Sequence, residues 1–338
     1  MLTHPTLDDT AVMSLIADAV TAPSMHNAQP WHFDYSRASR TVLLSADLDR
    51  AMPLADPTTR GLHLGCGAAL LNLRVAAAHA GHRTITTLLP DPHTPALLAS
   101  VRLDVPHEPL DVALSHLQPA IAVRHTSRYP FTERRIAESL RAALVEAAAA
   151  EGARLAFLTT PHREAVLDLI LHAEGYDRMD DGREVEQRRW THDASVDTPV
   201  DTSAEAAAEG IPEYAFGPAK RSGAAPIRDF AGRRAIPGRA YADFEKHPQL
   251  ASLSTTHDTP ADWLRAGQAL ERVLLLATRQ GLASSFATQA LEWPDLRWLL
   301  RDPLSGPGHV QMILRLGYGP DGPPTPRRPV DEVLTITA

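Results

Sequence analysis

Two segments of the chain carry side chains suited to holding a phosphate group. Residues 124–128 have the sequence Arg-His-Thr-Ser-Arg, and Arg327 lies in a proline-rich tail. A phosphate monoester carries a charge of about −1.5 to −2 at neutral pH, and charge-assisted hydrogen bonds from arginine and hydroxyl groups hold it well. Arg124, Thr126 and Arg327 supply these groups, so the two segments together predict a phosphate site.

A third polar segment, residues 22–33, offers smaller hydrogen-bonding groups. Ser24 and Asn27 fall in a short turn that can present backbone and amide groups to a ring edge or a ribityl chain. Arg128 can place a cation beside the pyrimidine edge of a flavin, which gains negative charge at N1 and O2 on reduction. Each segment alone is an ordinary turn or surface patch, but jointly the three suit a phosphorylated flavin.

Other kinds of chemistry find little support. The single cysteine, Cys66, cannot form a disulfide or a multi-cysteine metal cluster within these 338 residues, and we expect it to be a small buried hydrophobic residue. His26 and His32 have no carboxylate spaced for a shared metal, so we expect surface or capping histidines and no metal site. Gly65 and Gly67 lack the third glycine of a dinucleotide fingerprint.

The composition is that of a soluble globular protein. Hydrophobic residues make up 44% and charged residues 22% of the chain, and the net charge of −8 argues against nucleic acid as a partner. Only Lys220 and Lys246 are lysines among 33 basic residues, so any bound anion would meet arginine. We find no secretion signal and no apolar run of roughly 18 residues, the length needed to cross a bilayer. We therefore expect a cytoplasmic protein without membrane contact.

Hydrophobic periodicity predicts an α+β fold. Helices are expected over 8–20, 61–81, 110–121, 135–151, 163–173, 181–192, 261–281 and 294–300, and strands over 31–35, 41–46, 83–89, 97–105, 154–159, 250–255 and 309–317. Residues from about 193 to 247 break the pattern with many prolines and glycines. An active-site lid is one common reason for so long an irregular segment, and a surface insertion without a role is the alternative.

An internal repeat links the two parts of the chain. Residues 67–81 align without a gap onto residues 267–281, with glycine at both matched ends. Two such helices packed about a pseudo-two-fold axis would make the chain a dimer fused into one polypeptide, with any site between its halves.

The motifs also resemble a known family. The segment APSMHNAQPWHF is similar to the signature APS-x-x-N-x-QPW-x-F of the FMN-dependent nitroreductase superfamily, and RHTSR is similar to its RH(S/T)x(K/R) flavin motif. RLGYG followed by PPTPRRPVDEVL resembles the C-terminal strand and phosphate-binding tail of that superfamily. The longer pattern DPTTRGLHLGCGAALLNLRVAA, with the order of the motifs, resembles more narrowly the Acg family of nitroreductase-like flavoproteins.

This resemblance implies FMN as the cofactor and a nitroreductase-like fold. In ordinary nitroreductases, which are homodimers, RH(S/T) precedes APSxxN. The reversed order here implies an internal pseudo-dimer with halves 1–122 and 123–338, the second containing a lid at about 193–247. Each motif occurs once, which implies one FMN per chain. The internal duplication would already satisfy the ordinary dimer interface, so we expect a monomer.

The resemblance assigns twelve residues to the FMN site, and it implies no catalytic side chain because the chemistry takes place on FMN. From the first half come Pro23, Ser24, Met25 and Asn27, and from the second half come Arg124, His125, Thr126, Arg128, Ala287, Thr288, Arg327 and Arg328.

Two functions are compatible with these features. One is a two-electron oxidoreductase in which FMN takes electrons from a nicotinamide, NAD(P)H, and passes them to a nitroaromatic or quinone acceptor. The other is flavin sequestration, in which a lid carrying Tyr214, Phe216 and Tyr241 covers FMN and little turnover occurs. A scaffold that only retains the fold is a third alternative.

Overall fold

The computed structural model describes residues 7–104, 111–192, 208–302 and 308–338. The helices are α1 (Asp9–Ala19), α2 (Arg60–His79), α3 (Val112–Ser115), α4 (Gln118–Ile121), α5 (Glu138–Ala149), α6 (Thr160–Met179), α7 (Asp181–Arg189), α8 (Pro260–Arg279), α9 (Pro294–Leu299) and α10 (Val330–Val333). The strands are β1 (Trp31–Ser36), β2 (Thr41–Ala46), β3 (Arg83–Leu88), β4 (Leu97–Asp104), β5 (Arg154–Phe157), β6 (Thr191–His192), β7 (Ile211–Pro212), β8 (Ala219–Ser222), β9 (Tyr241–Asp243), β10 (Leu250–Thr255), β11 (Ala283–Phe286), β12 (His309–Gly317) and β13 (Leu334–Thr337). These elements confirm the predicted α+β class.

Two antiparallel arrays with the same strand order form the frame. The first sheet contains β1-β2-β4-β3 and the second contains β5-β10-β12-β11, and all of these neighbours are antiparallel. A register shift falls between Leu44 and Ser45 in β2 and between Leu253 and Ser254 in β10. The shift thus occupies the same place in two equivalent strands, as a duplicated unit would produce.

The two long helices α2 and α8 meet at the repeated glycines. A Cβ atom added to Gly67 would lie 3.0 Å from the Cα of Gly267, and one added to Gly267 would lie 2.9 Å from the Cα of Gly67. The same added atoms would clash with the carbonyl oxygens of Leu264 and Leu64, respectively. Each helix therefore meets the other through matched residues, which supports the predicted pseudo-two-fold arrangement.

Helix α2 is apolar enough to resemble a membrane-spanning helix. By length and composition alone it could cross a bilayer, contrary to our expectation that the chain has no such stretch. However, 89% of its most apolar window is buried inside the protein. Leu64 packs in the hydrophobic core of the second half and Leu70 in that of the first, so α2 is a central core helix shared by both.

Capping residues explain where two of the main helices begin. Asp8 accepts a hydrogen bond from the backbone N–H of Ala11 at 2.8 Å and so caps α1. Thr259 and Asp262 form a capping box at the start of α8, where Pro260 occupies the first turn. These local signals fix the N-terminal ends of α1 and α8.

The C-terminal strand returns to the sheet of the first half. β13 pairs in parallel with β1, and Phe33 lies opposite Leu334. The last strand of the chain therefore extends the sheet formed by β1, β2, β4 and β3. The return also lays the tail over the segment 23–29, where the backbone N–H of Arg328 donates to the Oε1 of Gln29 at 2.8 Å.

The predicted lid region is partly regular. Its residues 193–207 lie outside the described residues, and beyond them β7 pairs with β6 and β8 pairs with β9. Two further differences concern helices. The helix predicted over 110–121, of which residue 110 is not described, is two short helices, because Pro119 starts a new first turn in α4. The helix predicted over 181–192 ends at Arg189.

Candidate functional site

A cavity lies where the N-terminal end of α2 meets the segments 23–27 and 124–128. Ten of the twelve residues predicted from the sequence line it: Pro23, Ser24, Met25, Asn27, Arg124, His125, Thr126, Arg128, Thr288 and Arg327. The fold thus brings both halves of the chain and the C-terminal tail to one place.

The other two predicted residues lie away from the cavity wall. Ala287 is packed in the hydrophobic core of the second half, and its backbone N–H donates to the carbonyl of Ile313 at 3.0 Å. The side chain of Arg328 turns toward Asp47 and Glu332, at 3.6 and 3.5 Å. Core packing in the first case and ion pairing in the second draw these side chains elsewhere.

The segment 23–29 forms a tight turn with unusual backbone geometry. The Oγ of Ser24 accepts a hydrogen bond from the backbone N–H of Gln29 at 2.9 Å. His26, Asn27 and Gln29 have positive φ angles of 48°, 57° and 54°. Left-handed backbone costs on the order of 1–3 kcal/mol at a residue other than glycine, and it persists where the surrounding structure holds it in place.

Asn27 supplies part of that support. Its Nδ2 donates to the carbonyls of Gly210 at 2.9 Å and Pro326 at 3.0 Å. Its Oδ1 accepts a hydrogen bond from the Nη1 of Arg327 at 2.9 Å. One amide therefore ties the turn to the lid region and to the C-terminal tail, all three of which border the cavity.

Arg124 and Arg327 form a buried cationic pair at one end of the cavity. The Nη2 atoms of both donate to the carbonyl of Thr21, at 3.1 and 3.0 Å. Burial and the neighbouring charge of Arg124 lower the pKa of Arg327 to about 9. The Nε and Nη1 of Arg124 and the Nε of Arg327 have no hydrogen-bond partner among the described residues. The Nε of Arg124 faces the buried carboxylate of Glu271 at 3.3 Å, which offsets one of the two positive charges. The pair therefore retains one positive charge, together with the Nη1 of Arg124 and the Nε of Arg327 as donors, for an anion.

Arg128 is a third buried cation, at another part of the cavity wall. Its Nη1 donates to the carbonyl of Ala215 at 2.9 Å, and its guanidinium lies 4.9 Å from the ring centre of Phe230. Burial lowers the pKa of Arg128 to about 10, and nearby Arg228 contributes to this shift. Arg128 forms no ion pair with a carboxylate in the described part of the chain, so its charge is available to a ligand.

Comparisons with known proteins identify the family. No known family model matches the chain. The "Putative NAD(P)H nitroreductase acg" of Mycobacterium tuberculosis is 30% identical over 342 residues, covering 97% of this chain and 96% of that protein. The chain belongs to the Acg family of nitroreductase-like flavoproteins. A second relative from the same species, "Uncharacterized protein Rv3127", is 31% identical over 330 residues and covers 94% and 91% of the two chains.

A solved structure completes the comparison for this Acg-family chain. The FMN and NADPH-dependent nitroreductase NfnB from Sphigopyxis sp. strain HMH is 19% identical, with a TM-score of 0.41. The likeness covers 66% of this chain and 99% of that protein.

Part of the lid region forms a wall of the cavity in this Acg-family protein. Ile211, Ile227, Arg228 and Phe230 line it. Arg228 forms a buried ion pair with Glu292. The sequence offered no motif at these positions, so they were not predicted.

The three aromatic residues expected to cover a flavin do not line this cavity. The hydroxyl of Tyr214 donates to the carbonyl of Pro324 at 3.1 Å. Phe216 is buried in a small hydrophobic cluster with the wall residues Ile211 and Phe230, and its ring centre lies 5.9 Å from that of Phe230. Tyr241 is 65% exposed. The three aromatic residues therefore lie outside the wall of the cavity, and their packing on a flavin stays a prediction.

His26 also differs from its prediction. It is buried, both ring nitrogens have no hydrogen-bond partner among the described residues, and its ring packs edge-on against Phe230 at 5.2 Å. Burial lowers the pKa of His26 well below its ordinary value, and Arg228 and Arg128 lower it further. His26 is therefore a neutral residue of the cavity wall, not a surface or capping residue.

The other two residues considered for chemistry follow expectation. His32 is half-exposed, and its Nε2 lies 3.0 Å from the Oγ1 of Thr335. Cys66 is fully buried, and its Sγ donates to the carbonyl of Pro30 at 3.1 Å. Burial raises the pKa of the Cys66 thiol, which leaves it unreactive as a nucleophile.

Proposed function

We propose that this protein binds one FMN per chain in the cavity and acts as a two-electron oxidoreductase. The observation that carries the proposal is the buried pair Arg124 and Arg327, whose unused N–H donors exceed what the nearby protein acceptors satisfy. Buried cationic donors are costly unless an anion completes them. A phosphate monoester fits this need, because guanidinium groups bind it through charge-assisted hydrogen bonds.

The remaining residues of the wall suit the rest of FMN. Thr126 lies close to the arginine pair and can donate a hydroxyl hydrogen bond to the phosphate. Arg128 offers a cation to the pyrimidine edge of the isoalloxazine ring, where charge develops on reduction. Phe230 offers an apolar surface to the ring system. Neutral His26 can donate or accept a hydrogen bond without adding charge.

Each group in this site has a separate role in the proposed reaction. FMN, when bound, supplies reversible two-electron transfer. Arg124 and Arg327 hold the phosphate, Arg128 stabilises negative charge on the ring, and the lid wall keeps water from the ring face. No side chain has to act as a general acid or base. The relatives' names support a nicotinamide donor, NAD(P)H, and we propose a nitroaromatic or quinone as the acceptor.

We also propose that the chain is a monomeric internal pseudo-dimer with halves 1–122 and 123–338. The matching strand orders and the reciprocal contact of Gly67 with Gly267 support this proposal. The helix pair that would join two subunits is then already satisfied inside one chain. The buried position of α2 supports a protein without membrane contact, and we keep the cytoplasm as the proposed location.

The test begins with the purified protein. We expect an oxidised-flavin absorption spectrum and one FMN per chain after reconstitution. A protein that cannot be reconstituted with FMN would overturn the proposal. Riboflavin, which lacks the phosphate, should bind much more weakly if Arg124 and Arg327 hold that group.

Reduction then separates the two functions considered. Without oxygen, NADPH should bleach the flavin of an oxidoreductase, with dithionite as the positive control. Bleaching by dithionite alone would instead support sequestration beneath the wall formed by Arg228 and Phe230. In that case, removal of roughly residues 205–235, which include this wall, should admit NADPH.

A further inference from the structure

A buried carboxylate lies directly behind the arginine pair. Glu271, in the middle of α8, is fully buried, and its Oε1 lies 3.3 Å from the Nε of Arg124. This approach is an ion pair without hydrogen-bond geometry, and both oxygens of Glu271 have no hydrogen-bond partner among the described residues. A carboxylate so weakly supported depends on the nearby cations to keep its charge in the interior.

The groups that face Glu271 come from three other parts of the fold. Arg124 follows α4, and Arg327 comes from the C-terminal tail. Asn72 on α2 faces it too, but the Asn72 amide donates to the carbonyl of Asp18 and to the Oγ1 of Thr21, at 3.4 and 3.2 Å. Two guanidinium groups and one carboxylate therefore give this cluster an excess of one positive charge.

Phosphate binding reverses that balance. A phosphate dianion would bring about two negative charges to the same two arginines. The cluster would then carry a net charge of about −1 with Glu271 ionised, and of about zero with Glu271 protonated. Like charges that share a buried site favour protonation of one of them. The arginines also lower the pKa of the phosphate, which keeps it ionised. The added proton therefore binds to Glu271.

We propose that Glu271 takes up one proton from solvent when the phosphate of FMN binds, and releases it when FMN leaves. This inference rests on the proposed FMN site. Without FMN, Arg124 and Arg327 favour the carboxylate. With FMN, the phosphate takes over as the anion that balances both arginines. Burial already raises the pKa of Glu271, while Arg124, the side chain of Asn72 and Arg327 oppose the rise. A change in these surroundings therefore changes the protonation of Glu271.

The sign of the pH dependence follows from the proton count. Glu271 has one pKa in the free protein and a higher one in the FMN-bound protein. At a pH between these two values the FMN-bound protein holds more protons than the free protein. Raising the pH through that interval therefore weakens the binding of FMN. The Kd for FMN should rise by up to about tenfold per pH unit, the slope expected for one linked proton. Glu271→Gln removes the titrating group while keeping the side-chain shape, so the Kd of that variant should lose this dependence.

Calorimetry measures the linked proton directly. FMN is titrated into the full-length, flavin-free protein in buffers that differ in ionisation enthalpy, from about pH 5.5 to 9. At about pH 7.5, free FMN is already mainly a dianion, because the second pKa of a phosphate monoester is about 6. A proton taken up from solvent at this pH is therefore bound by the protein and not by FMN. We expect up to one proton per FMN in the wild type, and none with riboflavin, a comparison that needs no variant.

Two variants assign the proton to a residue. His125 is another titratable side chain near the arginine pair, and its pKa is lowered by burial and by Arg124 and Arg327, against the opposing charge of Asp321. Counted per FMN that binds, His125→Gln should keep the proton uptake, whereas Glu271→Gln should abolish it. The opposite result would overturn the assignment to Glu271, and so would a wild type that takes up no proton at any pH tested. A protein that binds no FMN in any form would instead contradict the proposed function.

Discussion

Replacing Gly67 by alanine should destabilise the protein, although alanine is the better helix former. Alanine gains about 1 kcal/mol of helix propensity over glycine. Against this gain, the new Cβ would lie 3.0 Å from the Cα of Gly267 and would clash with the carbonyl oxygen of Leu264. Both contacts are to backbone, which cannot rotate away, so we take the upper end of the cost of overpacking, about 3 kcal/mol.

The net expectation is a loss of about 2 kcal/mol in the free energy of unfolding. The assay is chemical denaturation followed by circular dichroism at constant flavin content. Gly267→Ala should cost a similar amount, because its contact with Gly67 is reciprocal. The double variant should cost less than the sum, since helices already separated by one methyl group accommodate the second more easily.

Gly175→Ala provides the matched control. Gly175 is also a glycine within a long helix, α6, but an added Cβ there meets nothing within 4 Å. This variant should therefore gain up to about 1 kcal/mol. If Gly67→Ala stabilised the protein as much as Gly175→Ala does, the close crossing of α2 and α8 would be refuted, and the proposed pseudo-two-fold arrangement would lose its main structural support.

Other side chains of the cavity and core lead to further expectations. Arg327→Ala removes charge-assisted hydrogen bonds of about 1.5–3 kcal/mol, so FMN should bind roughly 10- to 150-fold more weakly in a fluorescence titration, and unchanged affinity would contradict the phosphate assignment. Arg128→Leu removes a cation from the ring site, so the reduction potential of bound FMN should become more negative in a redox titration, and an unchanged potential would place the ring elsewhere. The Cys66 thiol, whose pKa is raised by burial, should react with a thiol reagent only after unfolding, and rapid labelling of the native protein would disprove its placement.

The frame was predictable from local patterns because its elements have strong periodicity. β10 and β12 occupy the predicted residues 250–255 and 309–317, where apolar residues are concentrated. The repeat of glycine at 67 and 267 was also readable, because a glycine at matched positions of two apolar helices indicates a close approach of their backbones. The return of β13 to β1 was not predicted, because no local pattern shows which strand a C-terminal segment will join.

The residues of the cavity also differ in whether the sequence could predict them. Arg124, Thr126, Arg128 and Arg327 belong to short motifs, so their presence at a shared wall could be expected from a family resemblance. His26 lies inside another motif, the segment 22–33, yet its burial depends on the lid region that packs against it. Its environment is therefore a property of the tertiary structure and has no signal in the sequence around it.

The proposed internal duplication accounts for the position of the lid region in the chain. In the first half, β1 and β2 are joined by the short turn at residues 37–40, whereas the equivalent strands β5 and β10 are joined by residues 158–249. A long insertion at such a hairpin costs the fold little, since the entropy of closing a loop grows only slowly with its length. Because only the connection between β5 and β10 is long, the two ends of the proposed pseudo-symmetric frame have different surroundings. Arg228 and Phe230 can line only a cavity at the end of the frame that carries the long connection. This is a physical reason to expect one FMN for each pair of halves.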